Sequence, residues 1–338
     1  MNKFTTNHVV KQQVFQENIP QKIKRVAIFA SFSKDYTIHD YVIFYLKELK
    51  AIADAIIFIS DNEILPKEID KIKDLVIFAQ FYKHNEYDFG SYKRGFHWAL
   101  ENDIMTKAEE LIFCNDSCYG PIFPFSEYFD TMQNVQTDFW GMVRSQEIKE
   151  HLQSYFLVFK RNVFLSHTFQ DFVNHFEKQE SQVMYILEYE LNLTEILKKA
   201  GFTYTSYLDI QKHAEANDII KNNPTKYPES LYRMRMPLIK KKSYLIDFSL
   251  QLKESIICVH NILAKHNSEL YNAISKDIKQ YYTTSSNYKT KEWLTIALSS
   301  IDKEHVLDFA ANTAEHYLEM LGELQWEKTF SYRQNESE

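Results

Sequence analysis

Residues 111–121, LIFCNDSCYGP, pass directly from an apolar run into a group of small polar residues. The apolar run at 111–114 is typical of a strand that is buried on both faces of a sheet. Asn115, Asp116 and Ser117 stand where that strand would end. Asn and Asp side chains start turns by bonding to their own backbone, so the tripeptide predicts either a simple turn or a turn whose carboxylate holds a ligand.

The segments around this stretch alternate between strand and helix patterns. Apolar runs at 25–30, 55–60 and 75–79 predict three more buried strands, and three-and-four spacing predicts helices over 37–49 and 91–101. Thr37 would cap the first of these helices. This alternation indicates right-handed crossovers and an α/β fold with a mainly parallel sheet. Ligands of such sheets bind beyond the carboxyl ends of the strands, which is where the polar tripeptide lies.

Composition limits the classes of function. The 338 residues are 45% hydrophobic and 15% aromatic, which is sufficient for one large core or two modest ones. A net charge of -7 provides no global basic field, so nucleic acid is not an expected partner. No secretion signal and no run of about 18 uncharged apolar residues is evident, so we expect a cytoplasmic protein, with peripheral contact at the inner membrane face left open.

Glycine is scarce, and its distribution points to one part of the chain. Four of the six glycines, Gly90, Gly95, Gly120 and Gly141, fall in one window. Glycine permits tight bends and close approach of the backbone to a ligand. We therefore expect the functional centre in this window.

The segment 85–95, NEYDFGSYKRG, follows the third predicted strand and opens a helix. Helix N-termini attract phosphate through unpaired N–H groups and the macrodipole, and Lys93 and Arg94 would add positive charge. The segment therefore predicts a diphosphate site. An ordinary strand-to-helix loop, with Asp88 as its cap, is equally consistent with the pattern.

An acidic pair precedes a later predicted helix. The segment 188–202, EYELNLTEILKKAGF, has apolar residues at helical spacing and ends at Gly201, which suits a left-handed C-terminal position. Glu188 and Glu190 stand before that helix. Either could serve as a general base, although acids at helix starts are common on surfaces because they interact well with the dipole.

Two further groups of residues suggest an acceptor pocket. His151, Gln153 and Ser154 come just before a buried-strand pattern and would line such a pocket, although His151 could also be a structural histidine. Trp140, which follows an acid and an aromatic residue, offers a ring for stacking on a sugar. Large aromatic residues more often belong to the core.

The C-terminal third carries patterns but no motifs. The basic run at 233–242, RMRMPLIKKK, would rest on anionic headgroups or form a solvated loop. We expect segments at 1–21 (N-terminal extension), 22–245 (α/β domain), 246–332 (helical region) and 333–338 (disordered tail). In the helical region, the apolar residues of 307–321 would pack on the α/β domain, mediate oligomerisation or meet a partner enzyme.

Six ordered blocks, HDYVIFYLKELK, NEYDFGSYKRG, LIFCNDSCYGP, DFWG, HLQSYFLVFK and YELNLTEILKKAGF, make residues 22–242 resemble the rhamnan synthesis protein F family. The resemblance implies a GT-A-like nucleotide-diphospho-sugar transferase domain. It implies a glycosyltransferase that moves a sugar, typically L-rhamnose, from a dTDP-rhamnose-like donor. The acceptor would be a glycan or lipid-linked precursor of a cell-surface polysaccharide, capsule or lipopolysaccharide, and transfer would be inverting.

The resemblance also implies roles for individual residues. Two segments would bind the donor, with Asp88, Gly90 and Lys93 in the first and Asn115, Asp116 and Ser117 in the second. Glu190 would be the general base, with Glu188 as the reserve. His151, Gln153, Ser154 and Trp140 would contact the acceptor.

The acidic turn departs from the DxD pattern that the resemblance implies, because Asp116 is its single carboxylate where two are usual. Mg²⁺ often uses only one or two protein carboxylates, so Mg²⁺ or Mn²⁺ at Asp116 is neither required nor excluded. The incomplete motif also permits a second class of function. A non-catalytic glycan- or nucleotide-binding assembly factor would keep the fold without the chemistry.

Overall fold

The computed structural model describes residues 12–16, 20–146, 148–179, 182–210, 228–245 and 250–284. Its strands are β1 Gln12–Val14, β2 Ile23–Ser31, β3 Ala55–Ser60, β4 Phe78–Phe81, β5 Ala108–Asn115, β6 Cys118–Tyr119, β7 Phe139–Ser145, β8 His151–Leu152, β9 Phe156–Lys160, β10 Tyr204–Leu208 and β11 Ile239–Lys240.

The helices follow the same order along the chain. They are α1 Asp40–Lys50, α2 Pro66–Ile69, α3 Tyr87–Glu101, α4 Phe125–Met132, α5 Arg161–Phe164, α6 His167–Asn174, α7 Gln182–Tyr185, α8 Leu191–Lys199, α9 Pro228–Arg233, α10 Lys242–Leu245, α11 Leu250–His266 and α12 Ser268–Thr284. A π-helical turn, Ile186–Glu190, joins α7 to α8.

One large sheet organises the described residues. Its strand order is β1-β4-β3-β2-β5-β9-β7-β10, with β8 paired to β7. Strands β4, β3, β2 and β5 are parallel, and β7 and β10 run in the same direction. The antiparallel strand β9 separates β5 from β7. The prediction of an α/β fold with a mainly parallel sheet is confirmed.

Strand β2 lies in the middle of the sheet and is buried on both faces, as its apolar run predicts. Ala27 and Phe29 belong to one core, which also holds α1. Val26, Ile28 and Ala30 belong to the opposite core, which holds α3. Because side chains alternate along a strand, one continuous apolar run supplies both layers.

Three predicted boundaries are wrong in detail. The third strand is Phe78–Phe81, three residues later than the start of its apolar run. Helix α1 begins at Asp40 with His39 at the N-cap and no side-chain cap, because the Thr37 hydroxyl instead donates to Asp35 at 2.8 Å. Helix α3 begins at Tyr87, four residues before the predicted start, so Asp88, Gly90 and Lys93 lie within the helix and not in a loop before it.

The C-terminal helices pack on the same core as α1. Leu263 in α11 and Ile274 in α12 are fully buried members of that core. Helix α12 also makes two ion pairs with α1, Lys47–Glu269 at 2.8 Å and Asp40–Lys276 at 2.6 Å.

Several expectations fall outside the described residues. They include the apolar stripe of 307–321, the tail at 333–338 and most of the extension at 1–21. Within that extension, β1 pairs with β4 at the edge of the sheet. The segment boundaries stay predictions. None of the helices in the described part of the chain is long and apolar enough to cross a bilayer.

Gly95 allows α3 to lie close to the sheet. A Cβ at this position would be 2.5 Å from Cγ2 of Ile28 and 3.3 Å from Cγ2 of Ile57, both in the sheet below. These are branched side chains in a close-packed layer, so they have little freedom to move away.

We predict that Gly95→Ala destabilises the protein. Overpacking costs about 1–3 kcal/mol, whereas alanine in a helix is favoured over glycine by only about 0.5–1 kcal/mol, so the steric term is larger. Urea denaturation should show a lower free energy of unfolding. A variant more stable than the wild type would contradict the packing described here.

Candidate functional site

The polar tripeptide 115–117, which begins at the last residue of β5, forms an Asx turn and also contacts the end of β2. Asn115 Oδ1 accepts hydrogen bonds from the Ser117 backbone N–H at 3.1 Å and from its hydroxyl at 2.6 Å. The turn points the carboxylate of Asp116 toward the end of β2. There Asp116 Oδ2 accepts from the Ser31 hydroxyl at 2.8 Å and from the Phe32 N–H at 2.9 Å. Asn115 makes the turn by itself, so the Asp116 carboxylate is not needed for it. The structure is therefore compatible both with a simple turn and with a turn whose carboxylate holds a ligand.

Asp88 lies beside this turn, in the first turn of α3. The Asn115 amide donates to Asp88 Oδ2 at 2.8 Å, which joins the two predicted donor segments directly. Burial and then the charge of Asp116 raise the pKa of Asp88 to about 7, and the charge of Glu190 acts in the same direction. Burial also raises the pKa of Asp116, although Lys241 and the two bonds to β2 oppose it.

Two lysines compensate this negative charge. Strand β11 pairs antiparallel with β6, which places Lys240 opposite Cys118, immediately after the turn. The Lys240 ammonium lies 3.1 Å from the Ser117 hydroxyl and 4.5 Å from the centre of the Tyr155 ring. The neighbouring Lys241 ammonium donates to the Tyr41 hydroxyl at 2.5 Å. Lys240 and Lys241, near the end of the basic run 233–242, therefore belong to this site.

Glu190 occupies the end of the π-helical turn. Its Oε1 accepts from the Ser154 backbone N–H at 3.4 Å and lies 3.8 Å from His151 Nε2. His151 Nδ1 is 2.8 Å from the Lys149 carbonyl, and Gln153 Nε2 is 3.1 Å from His151 Nε2. The predicted base and three of the predicted acceptor residues are therefore neighbours. π-Helical turns occur frequently at functional sites.

Glu188 differs from Glu190 in its surroundings. Its side chain is exposed, whereas that of Glu190 is 16% exposed and faces the pocket of His151 and Ser154. The backbone carbonyl of Glu188 accepts from Asn192 at 3.0 Å within the helix. In the described contacts, Glu190 touches the predicted acceptor residues and Glu188 does not.

Three other predicted site residues, Lys93, Gly90 and Trp140, make their contacts away from the acidic turn. The Lys93 ammonium donates to the carbonyls of Asn174 and Phe176, at 2.8 and 2.9 Å, so it fastens α3 to the end of α6. Gly90 lies under the Arg94–Glu86 ion pair, and a Cβ there would be 2.9 Å from Glu86 Oε2.

Trp140 lies in the core. Its ring packs edge-on against Phe129, and the residue is only 3% exposed, so it offers no open face for a sugar. This placement agrees with the general tendency of large aromatic residues to belong to the core.

Asp61 was missed by sequence reasoning, although the same rule applies to it. It directly follows β3 and accepts from the backbone N–H groups of His84 and Asn85, both at 2.7 Å. Burial, followed by the charge of Arg94, lowers the pKa of His84 to about 3, so this histidine is neutral. Asp61 thereby fixes the segment that leads into α3 and Asp88.

The carboxyl edge of the sheet suits an anionic ligand or a hard cation. Among the described residues, Asp88 and Asp116 each use Oδ2 in the bonds given above, and no partner of either Oδ1 is found. The charge of Asp116 raises the pKa of Asp88, and a divalent cation held by both carboxylates would relieve this repulsion. No group of three or more His, Cys, Asp or Glu side chains in the described ranges could hold a metal.

The opposite edge of the sheet has a cleft of different character. It has a volume of about 700 Å³ and is lined by charged residues, including Lys24, Arg25 and Arg161. Both of its arginines already have partners, since Arg25 pairs with Glu110 at 2.7 Å and Arg161 donates to two backbone carbonyls. The amino ends of the strands meet here, which is not where parallel sheets bind their ligands.

The fold and these contacts define an α/β protein with a cluster of charged side chains at the carboxyl edge of a mainly parallel sheet. The chain belongs to the rhamnan synthesis protein F family, whose sequence model matches residues 56–331. The predicted family is therefore confirmed. The chain is 26% identical over 187 residues to virulence protein VirA of Vibrio anguillarum, an alignment that spans 53% of this chain and 57% of that protein.

Solved structures show more distant likenesses. The mannosyltransferase Ktr4p from S. cerevisiae in complex with GDP has a TM-score of 0.31 at 9% identity and covers 60% of this chain and 74% of its own. TarS 1–349 of S. aureus has a TM-score of 0.34 at 8% identity and covers 81% of this chain and 86% of its own. Likenesses this distant do not bear on the chemistry.

We predict that Asp88→Asn stabilises the protein at neutral and higher pH. The pKa of Asp88 is raised from 3.8 to about 7 in the folded state, so its ionisation weakens folding as pH rises between these values. Asparagine keeps an acceptor for Asn115 and removes the charge. We expect a gain of roughly 1–3 kcal/mol in the free energy of unfolding at about pH 8, which disappears near pH 4.

Urea denaturation of both proteins at several pH values measures this difference. Asp130→Asn, at an exposed position of α4, controls for loss of one negative charge. An Asp88→Asn variant with no gain at the higher pH would show that the Asp88 carboxylate is not destabilised by its neighbours.

Proposed function

We propose that this protein is a GT-A-like glycosyltransferase. It would move L-rhamnose from a dTDP-rhamnose-like donor to a glycan or lipid-linked acceptor of cell-surface polysaccharide or lipopolysaccharide synthesis. Membership in the rhamnan synthesis protein F family supports the reaction class. The choice of L-rhamnose rests on that membership alone.

One observation carries the proposal: Asp88, Asp116, Lys240 and Lys241 converge at the carboxyl edge, with Glu190 close enough to affect Asp88. The lysines come from a segment more than 120 residues after the turn, as the 123-residue separation of Lys240 and Ser117 shows. These four side chains are half-buried, and charge of both signs that is partly removed from water is costly to assemble without a ligand to hold. A diphosphate between the lysines and the carboxylates would use both signs.

The chemistry would be a single displacement with inversion. The acceptor oxygen forms a bond to the anomeric carbon as the bond from that carbon to the diphosphate oxygen breaks. The acceptor proton passes to Glu190, and the negative charge leaves with the nucleoside diphosphate. Lys240 and Lys241 would stabilise that departing charge, a role that the sequence suggested for Lys93 or Arg94.

The acceptor hydroxyl would bind beside Glu190, whose side chain is 16% exposed, whereas His151 is as buried as Trp140 and would act behind the carboxylate. The Ser154 N–H donates to this carboxylate at 3.4 Å, and the His151 ring, with Gln153 on its far side, lies 3.8 Å away. A base whose carboxylate is held by a backbone N–H is already oriented for the acceptor hydroxyl, which reduces the entropy lost in the transition state.

Asp116 and Asp88 are the residues that would hold Mg²⁺ or Mn²⁺. Such an ion would neutralise charge on the diphosphate. The two lysines serve the same end from the chain itself, and therefore donor binding that survives a chelator is compatible with this site.

Incubation of the purified protein with dTDP-L-rhamnose, UDP-, GDP- and CDP-linked sugars, each with and without EDTA, tests the proposal. Release of nucleoside diphosphate, by transfer or slow hydrolysis, is the expected result. Binding without release supports the alternative of a non-catalytic assembly factor. The EDTA arm reports whether Asp116 and Asp88 act through an ion.

We predict that Glu190→Gln lowers the turnover number by about 10²–10⁴-fold while the dissociation constant for the donor stays near its wild-type value. Glutamine keeps the acceptor oxygen for Ser154 but cannot take a proton. Steady-state kinetics and calorimetric donor binding measure the two quantities.

Glu188→Gln is the matched control, because the same change is made two residues away on an exposed side chain. Near-normal turnover is expected for it. If Glu188→Gln is the inactive variant and Glu190→Gln is active, the base has been assigned to the wrong acid.

A further inference from the structure

Helix α12 reaches the loop that follows β2. Asp277 Oδ1 lies 2.7 Å from His39 Nδ1, at the start of α1. The Gln280 amide, one turn further along α12, donates to Asp35. The other side of the His39 ring, Nε2, lies 3.1 Å from the Ser33 hydroxyl and 3.2 Å from Asp35 Oδ1.

The same carboxylate also contacts the donor site. Asp277 Oδ2 accepts from the Tyr119 hydroxyl at 2.6 Å and lies 3.4 Å from the Lys241 ammonium. Tyr119 follows the acidic turn, and Lys241 follows β11. The Asp277 residue is 6% exposed, so this contact forms inside the protein rather than on its surface.

We propose that Asp277 is a positioning residue of the donor site. It holds Lys241 and His39 at the edge where Asp116 lies, so α12 supplies part of the diphosphate-binding machinery. The proposal rests on the function proposed above, since it assigns a role within that site.

Helix packing alone does not explain why a carboxylate is buried at position 277. Two exposed ion pairs, Lys47–Glu269 and Asp40–Lys276, already join α12 to α1. An isolated buried acid would weaken folding, because its charge has to leave water. Asp277 is buried with three polar partners arranged around its two oxygens, and two of them, His39 and Lys241, are cations or potential cations whose charge acts on Asp116.

The charges around His39 agree with this arrangement. Burial alone would lower the pKa of His39, but Asp277 and Asp35 outweigh burial and raise it, against the charge of Lys241. Burial likewise opposes ionisation of Asp277, and His39, Lys241 and Tyr119 outweigh it, so the pKa of Asp277 is lowered. The carboxylate and its cationic neighbours therefore stabilise each other's charged forms.

Asp277→Asn tests the proposal in the full chain. Calorimetry with dTDP, UDP, GDP and CDP identifies the nucleoside diphosphate that the wild type binds, and this compound then serves as the probe. We expect its dissociation constant to rise about tenfold in the variant, because charge-assisted bonds that fix Lys241 are lost. Glu269→Gln, which removes an exposed acid from the same helix, should change it less than about twofold.

Kinetics separate positioning from a general structural defect. A defect that inactivates part of the protein lowers the turnover number and leaves the KM for the donor unchanged. Loss of positioning raises that KM, and the turnover number falls with it only as far as Lys241 stabilises the departing charge, so the raised KM is the distinguishing result. Binding by Asp277→Asn that equals or exceeds that of the wild type overturns the proposal.

Tyr119→Phe provides a milder variant if Asp277→Asn does not fold. It removes one hydrogen bond to Asp277 Oδ2 and leaves every charge, so we expect about a two- to threefold weaker affinity for the probe. An unchanged affinity overturns the proposal. A wild type that binds none of the four nucleotides overturns the proposed function itself, and this inference with it.

Discussion

The balance of charge at the carboxyl edge of the sheet is the constraint on which the site depends. Asp61, Asp88 and Asp116 follow or face three neighbouring strands, and burial raises the pKa of each. Lys240 and Lys241 offset this charge, yet Asp88 still titrates near neutral pH. The protein therefore keeps an arrangement that weakens folding. Such a trade between stability and function is typical of binding sites.

The two-residue pairing of β6 with β11 makes that balance possible. It joins the segment after the acidic turn to the end of the basic run, and it carries Lys241 to Tyr41 and Asp277. The C-terminal helices are thereby connected to the site through side chains. These helices pack against α1 and make polar contacts at the sheet edge. Both kinds of contact hold the loop after β2 in place.

Much of the fold could be predicted, because buried parallel strands leave a strong signal. The run at 55–60 is a strand with those bounds, and the central strand β2 supplies both cores as its continuous apolar pattern indicates. Helix starts were harder. His39 occupies the N-cap of α1 without a capping side-chain bond, so the usual pattern of a capping Thr was misleading there. Strand pairs of two residues, such as β6 with β11, have no periodicity to detect.

The site was predictable where it depends on strand ends and hidden where it depends on distant contacts. Asn115 and Asp116 follow from their position after β5, and Asp61 would follow from the same rule applied to β3. Lys240 and Lys241 could not be distinguished from a solvated basic loop. The central claim is that these lysines and Asp116 bind the donor diphosphate. A crystal structure with bound dTDP tests it most directly: we predict diphosphate oxygens within hydrogen-bond distance of either lysine, whereas a diphosphate in the cleft at the opposite edge would contradict the account.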